Sequence, residues 1–215
     1  MNSNEADLTL INSLKDDLIP QKVLLKAEVR AALFIICYFI IVSTVMYLIQ
    51  PFRPNFLIDF KILRFSAEII LTIFSIITFI YFSYLSVIPA SLKNKSFKWA
   101  IPPLLLGLGI ILYNYIEPSK APSMAGKRPY CAEEVLIYSS LTFLYIIYSL
   151  KKAVLFKTYR STLLSAIGVS LVPAILMHIS CMYEIHHVMS HHLGPVLLFA
   201  LLVPIICKIL IKNKM

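Results

Sequence analysis

Charged side chains are scarce in this sequence. Only 14% of its 215 residues are Asp, Glu, Lys or Arg, whereas 59% are hydrophobic, and the mean hydropathy is +0.82. A water-soluble domain carries about a quarter charged residues. The composition therefore excludes a soluble globular domain and predicts a protein that is solvated largely by a lipid bilayer.

Catalytic and metal-binding motifs are also missing. The four cysteines form no CxxC pair, which excludes a zinc ribbon and a thioredoxin-type redox motif. No GxSxG, HExxH or P-loop is present. Glu133 and Glu134 resemble the start of the EExxxR signature of intramembrane CAAX-type proteases, but Tyr138 stands at the arginine position. We therefore expect no enzymatic activity and no cofactor other than a transition metal.

Long apolar runs dominate what is present. Crossing the hydrocarbon core takes about 20 residues of helix. We predict six crossings, at residues 31–49, 65–88, 99–116, 135–150, 163–179 and 193–211. The predicted fold is thus an all-α membrane bundle of six transmembrane helices (residues 31–211). It follows a cytoplasmic N-terminal arm (residues 1–30) and precedes a short cytoplasmic tail (residues 212–215).

The basic residues lie between the apolar runs. The net charge is +9, but the Lys and Arg residues form no compact patch, so we interpret the charge as a signal of topology and expect no direct contact with nucleic acid. With the N-terminus in the cytoplasm, the cytoplasmic segments hold more than twice as many Lys and Arg residues as the outer loops. This bias predicts that both chain ends lie in the cytoplasm.

The N-terminal arm has the pattern of a short amphipathic helix. Between residues 4 and 19, before Pro20, apolar residues recur at helical spacing. They are Leu8, Leu10, Ile11, Leu14 and Leu18. A helix of about 15 residues is marginal alone in water, so this one needs a surface that buries its apolar face. Acidic residues disfavour anionic lipid, which leaves a partner protein or the protein's own bundle.

Two cysteines and all five histidines fall at the predicted outer side. Cys131 precedes the fourth predicted span and Cys181 follows the fifth. In an oxidising periplasm the two thiols can form a disulfide; they can also bind a metal together with imidazoles, or stay unpaired. His187 and His191 stand one helical turn apart, on the same predicted face. The candidate metal ligands are Cys131, His178, Cys181, His187 and His191.

Glu68 is an acidic residue in the first turns of the second predicted span. A carboxylate inside a membrane is a functional candidate by default. Because it stands near the outer boundary, we expect it to reach the lipid headgroups or to pair with Arg64 one turn away.

Several short motifs follow one another along nearly the whole chain. They are residues 10–20 (LIxxLxxDLIP), 64–68 (RFxxE) and 86–89 (SVIP), then Cys131, then residues 178–184 (HxxCMYE). In this order and spacing they resemble the NrsF-type membrane anti-sigma factors, which are negative regulators of an extracytoplasmic-function sigma factor. One difference follows Cys181, where the family often has a proline and an acidic run and this chain has Met182 to Ile185 and then four histidines.

The resemblance implies a function for the two sides of the protein. The cytoplasmic face would hold a sigma factor away from RNA polymerase at a bacterial inner membrane. The outer Cys131 and Cys181 would receive an envelope signal, either a metal or an oxidant. The residues expected to contact the sigma factor are Leu8, Leu10, Ile11, Leu14, Asp17 and Leu18. Three alternatives stay open: a small transporter, a metal-binding membrane protein that uses the outer histidines and cysteines, and a structural membrane subunit.

Overall fold

The structure is a computed structural model that describes residues 26–54, 56–86, 95–118, 126–151 and 158–212. The predicted partner-binding residues of the N-terminal arm lie outside these ranges, as do residues 213–215 of the tail. Each long element in the described part of the chain is a helix, which confirms the predicted all-α class.

The helix bounds are close to the predicted spans. In chain order the helices are α1 (Ala27–Ile49), α2 (Phe56–Asp59), α3 (Leu63–Leu85), α4 (Ile101–Ile116), α5 (Cys131–Lys151), α6 (Thr158–Ser180), α7 (Ile185–His187) and α8 (Gly194–Lys212). A 3₁₀ turn (Lys95–Ala100) leads into α4, and a π-helical turn (Val188–Leu193) joins α7 to α8. Two prolines in the first turn of α4 fit a helix start, where a missing N–H costs nothing.

Five helical segments are long and apolar enough to cross a membrane. They are Ala27–Ile49, Leu63–Leu85, Lys98–Ile116, Ser161–Ser180 and Ile185–Cys207. Many of their large apolar side chains are exposed, among them Leu33, Ile40 and Leu201. Apolar surface of this extent is typical of helices that face lipid, so the protein is a multi-pass membrane protein.

Helix α5 contains the predicted fourth span but is not one of those five segments. The side chains of α5 are described only as far as Tyr145, which is a shorter stretch than a crossing takes. The sixth crossing therefore stays a prediction.

Helix α6 lies at the centre of the bundle. In its apolar segment 83% of the residues are buried, against 22% for α1. It packs against α3, α5 and α8, while α1 and α4 pack mainly on α3. The helix ends that meet around Cys131 and Cys181 are those of α1, α3, α4, α5 and α6, and we call this end of the bundle the cysteine end.

Candidate functional site at the cysteine end

The structure brings Cys131 and Cys181 together. Cys131 is the first residue of α5, and Cys181 follows the last residue of α6. Both thiols are fully buried, and their Sγ atoms lie 2.9 Å apart. The Cys131 thiol also donates a hydrogen bond of 3.4 Å to the backbone carbonyl of Arg128. The pair therefore joins the start of α5 to the end of α6 and is close enough to form a disulfide or to share a metal.

The segment after Cys181 turns two histidines toward the thiols. Glu184 begins α7 as an N-cap, and its carboxylate accepts hydrogen bonds from the backbone N–H groups of His186 (3.0 Å) and His187 (2.6 Å). The Nε2 of the His187 ring lies 3.3 Å from the Sγ of Cys181. The π turn then carries His192 to the same place. One donor atom from each of Cys131, Cys181, His187 and His192 lies within 4.8 Å of all the others.

His191, which the sequence predicted as a metal ligand, lies outside this group. It is exposed, its ring stacks on His187 with the centroids 4.3 Å apart, and its Nδ1 lies 2.7 Å from the Ser190 hydroxyl. The π turn explains the error. In an α-helix the fourth residue along returns to the same face, but the i to i+5 bonds of a π turn are wider and bring the fifth residue, His192, to that face.

His178 is the second predicted ligand that the structure places elsewhere. Its Nε2 lies 3.0 Å from a carboxylate oxygen of Glu68, and its ring stacks on Phe65 with the centroids 5.2 Å apart. The ring lies 6.3 Å from that of His192, so His178 adjoins the cluster without belonging to it.

Glu68 is fully buried and has different partners from those expected. Besides His178 it accepts a hydrogen bond from the side-chain amide of Asn114 on α4. Arg64 instead donates to the backbone carbonyl of Glu117 at 3.0 Å. The expectation that Glu68 reaches headgroups or pairs with Arg64 is therefore wrong. Glu68 lies on the side of α3 that faces α4 and α6, where only an internal partner can satisfy its carboxylate.

Two buried arginines connect neighbouring loops and helix ends to the region of the two thiols. Arg53 forms an ion pair with Asp59 and donates to the carbonyl of Cys181 at 3.0 Å. Arg128 forms an ion pair of 3.1 Å with Glu134 and also donates to the carbonyls of Met46 and Gln50, at the end of α1.

Sequence reasoning assigned no role to these two arginines. The only signal was that the predicted outer loops are not free of positive charge, although outer loops usually are. Arg128 places a cation at the C-terminal end of α1, where the helix dipole favours it.

The two thiols differ in their electrostatic environment. Hydrogen bonding with Cys131, whose Sγ is 2.9 Å away, lowers the pKa of the Cys181 thiol, while burial acts in the opposite direction. Cys181 is therefore the more easily deprotonated thiol of the two, and thiolates are the nucleophiles in disulfide exchange and the ligands of metals. The arrangement can support either reaction.

Comparison of the chain with family models, with curated proteins and with solved structures finds no match in any of the three.

Proposed function

We propose that this protein is a membrane-bound anti-sigma factor that holds an extracytoplasmic-function sigma factor at the cytoplasmic face and releases it when Cys131 and Cys181 receive an envelope signal. The observation that supports the proposal most is the buried pair of thiols 2.9 Å apart. Cys131 and Cys181 are free cysteines 50 residues apart in sequence, and they meet at the ends of two helices. A chemical change at this pair would alter how the two helices pack.

A route from the thiols to the cytoplasm runs through α1. The carbonyl of Arg128 accepts the hydrogen bond of the Cys131 thiol, and its guanidinium binds the last carbonyls of α1. The N-terminal arm directly precedes the other end of α1. A signal shifts an equilibrium only when it interacts differently with two states. When Cys131 loses its thiol proton, the hydrogen bond from this thiol to the Arg128 carbonyl is lost. The state before the signal and the state after it therefore differ in this contact.

Oxidation is one form that the signal can take. The two thiols would form one disulfide by exchange with an oxidised dithiol carrier. The carrier's own disulfide would be reduced to two thiols, so electrons and protons balance. The bond would fix α5 to α6 at the cysteine end.

Helix α5 completes the topology in this proposal as a sixth crossing. It starts at the cysteine end and packs along α6, which ends there. Its 21 residues measure about 30 Å, the thickness of the hydrocarbon core. Six crossings would leave both chain ends on the same side, and the excess of Lys and Arg favours the cytoplasmic side of a bacterial inner membrane, where a sigma factor is available.

Affinity capture from detergent tests the proposal. The tagged wild-type protein, expressed in its native cell, should co-elute with a sigma factor, and exposure to the thiol oxidant diamide should release it. The double variant Cys131→Ser/Cys181→Ser should retain the sigma factor under the oxidant, whereas Cys37→Ser, on the exposed face of α1, should behave as wild type. Deletion of residues 1–20 should abolish capture.

The proposal would be abandoned if no sigma factor co-eluted with the intact protein. If the double variant released the sigma factor under the oxidant as readily as the wild type, Cys131 and Cys181 would not be the site that receives the signal.

A second candidate is a small transporter, which a cavity between α3, α4 and α6 favours. The cavity has a volume of about 40 Å³ and is lined by Glu68, Thr72, Ser75, His178 and His192 among apolar residues. A transporter predicts uptake or efflux that is lost when Glu68 or His178 is replaced. Unchanged fluxes in vesicles carrying these variants would exclude it.

A further inference from the structure

The four side chains Cys131, Cys181, His187 and His192 form a complete donor set. They offer two sulfur and two imidazole nitrogen atoms, all within 4.8 Å of one another. Three of the four residues are buried, and His187 is partly buried. Two thiolates and two imidazoles around one point is the ligand set of tetrahedral zinc sites.

His192 supplies an independent observation. It is 1% exposed, yet neither of its ring nitrogens reaches full hydrogen-bond geometry with a partner among the described residues, and the polar group that its ring approaches is the Cys181 thiol. Buried polar atoms nearly always have partners, so a side chain whose nitrogens lack full hydrogen bonds requires an explanation. The His192 ring stands edge-on to that of His187, with the centroids 5.1 Å apart, and it faces the thiols. A metal ion among the four donors would use one of these nitrogens.

The charges around the cluster favour a divalent ion. Arg53 is paired with Asp59, and Arg128 is paired with Glu134, so each of these cations already has a carboxylate partner beside the cluster. The carboxylate of Glu184 is occupied by backbone N–H groups of α7. Two thiolates with two neutral imidazoles carry a charge of minus two, which a divalent cation cancels and a monovalent cation such as Cu⁺ does not.

We infer that Cys131, Cys181, His187 and His192 form a binding site for one thiophilic divalent cation of the zinc type, Zn²⁺ or its heavier relative Cd²⁺. Binding releases the two thiol protons to solvent and forms two metal–sulfur and two metal–nitrogen bonds. Because the metal uses both thiolates, the metal-bound and disulfide forms exclude each other. The inference names a ligand for the site on which the proposed function rests, but it does not require a sigma factor.

Metal binding to the purified full-length protein tests this inference. The reduced protein in detergent should bind one Zn²⁺ per chain by elemental analysis. Substitution of Cd²⁺ should give the ultraviolet charge-transfer absorption of cadmium–thiolate bonds. The variants Cys181→Ser and His192→Ala should each weaken Zn²⁺ binding at least tenfold in competition with a chelator.

The matched control is His191→Ala. His191 neighbours His192 in sequence and was the ligand that helical spacing predicted, but it is exposed and lies outside the donor set. This variant should bind Zn²⁺ with the wild-type affinity. Circular dichroism and a single elution peak would show that each variant keeps its fold, so that a lost site is not confused with a lost structure.

Two results would overturn the inference. One is a reduced, folded wild-type protein that binds no Zn²⁺ or Cd²⁺ at micromolar concentration. The other is an equal loss of affinity in the His191→Ala and His192→Ala variants, which would indicate weak surface binding. Neither result bears on sigma-factor capture, so the metal site and the proposed function can fail separately.

Discussion

At the scale of single residues, the buried contact of Glu68 with His178 and Asn114 is the main polar feature inside the bundle. It connects three helices, because Glu68 lies on α3, His178 on α6 and Asn114 on α4. An ionisable group inside a membrane protein is stable only with partners, since lipid offers none. The three side chains therefore fix the relative rotation of their helices.

Replacing Glu68 by Ala should destabilise the protein. The change leaves the Nε2 of His178 and the amide of Asn114 buried without their partner, and each such group costs about 1–3 kcal/mol. Thermal unfolding in detergent should show a lower midpoint. The control is Glu117→Ala, because that side chain is largely exposed and its ion pair with Arg64 spans 4.0 Å. An exposed pair contributes little, so the control midpoint should stay near that of wild type. Equal midpoints for the two variants would contradict this account.

The sequence suggested that Cys131 and Cys181 could meet, but it did not predict the partners of Glu68 or of Arg128. The pairing of Glu68 with His178 crosses 110 residues, and no local pattern reports the rotation of α3 that produces it. The same holds for Arg128, whose position in a loop gave no indication of its contacts with α1. The partners of Glu68 and Arg128 depend on how distant helices pack, and a single sequence does not report that packing directly.

At the scale of helices, a close approach between α3 and α6 holds the centre of the bundle together. Gly168 on α6 faces Ile80 on α3, and a Cβ atom at Gly168 would lie 2.7 Å from the Cγ1 of Ile80 and 3.2 Å from its backbone nitrogen. One turn away, the hydroxyls of Ser83 and Ser165 share a hydrogen bond of 2.5 Å. Small residues allow membrane helices to pack closely, where dispersion and polar contacts replace the hydrophobic effect.

The variant Gly168→Ala should push α6 away from α3. Overpacking of this kind costs about 1–3 kcal/mol, so the unfolding midpoint in detergent should fall. Gly109 on α4 gives the matched control, since a Cβ atom there would have nothing within 4 Å. Gly109→Ala removes a flexible residue from a helix interior and should leave stability unchanged or slightly higher. The interpretation is wrong if Gly109→Ala lowers the midpoint as much as Gly168→Ala.

Helix positions were largely predictable, whereas one local irregularity was not. Runs of apolar residues bounded by prolines predicted the long helices to within a few residues, because lipid demands continuous apolar helix. The π turn (Val188–Leu193) escaped prediction, since the sequence HHVMSHHL is compatible with an ordinary α-helix. Because of that turn, the cluster contains His192 in place of the predicted His191.

At the scale of the whole molecule, the number of crossings decides where the chain ends lie. Residue 131 is at the cysteine end, and α6 runs from residue 158 back to that same end. The chain must therefore travel to the opposite end between these points, and α5 covers most of that path. This geometry supports six crossings, with α5 as the fourth.

Reporter fusions should place the two termini on one side. A reporter at residue 1 and one after residue 215 should both be active on one side, because six is an even number, and the Lys and Arg bias predicts that this side is the cytoplasm. A reporter inserted within residues 119–125, between α4 and α5, should be active only outside. Activity of the two terminal reporters on opposite sides would mean that α5 does not cross, and the sigma-factor proposal would then lose its topology.

The shallow burial of α1 affects how the bundle can move. Its buried face is a single stripe that includes Ala31, Tyr38 and Met46, and the rest of its surface is directed away from the other helices. Lipid tails are as apolar as leucine side chains. A tilt of α1 therefore replaces contacts with side chains by contacts with lipid tails at little cost in free energy. The same tilt in α6 would open voids on every side. Mechanical compliance is thus concentrated in the helix that directly follows the N-terminal arm, and its far end is held by the guanidinium of Arg128.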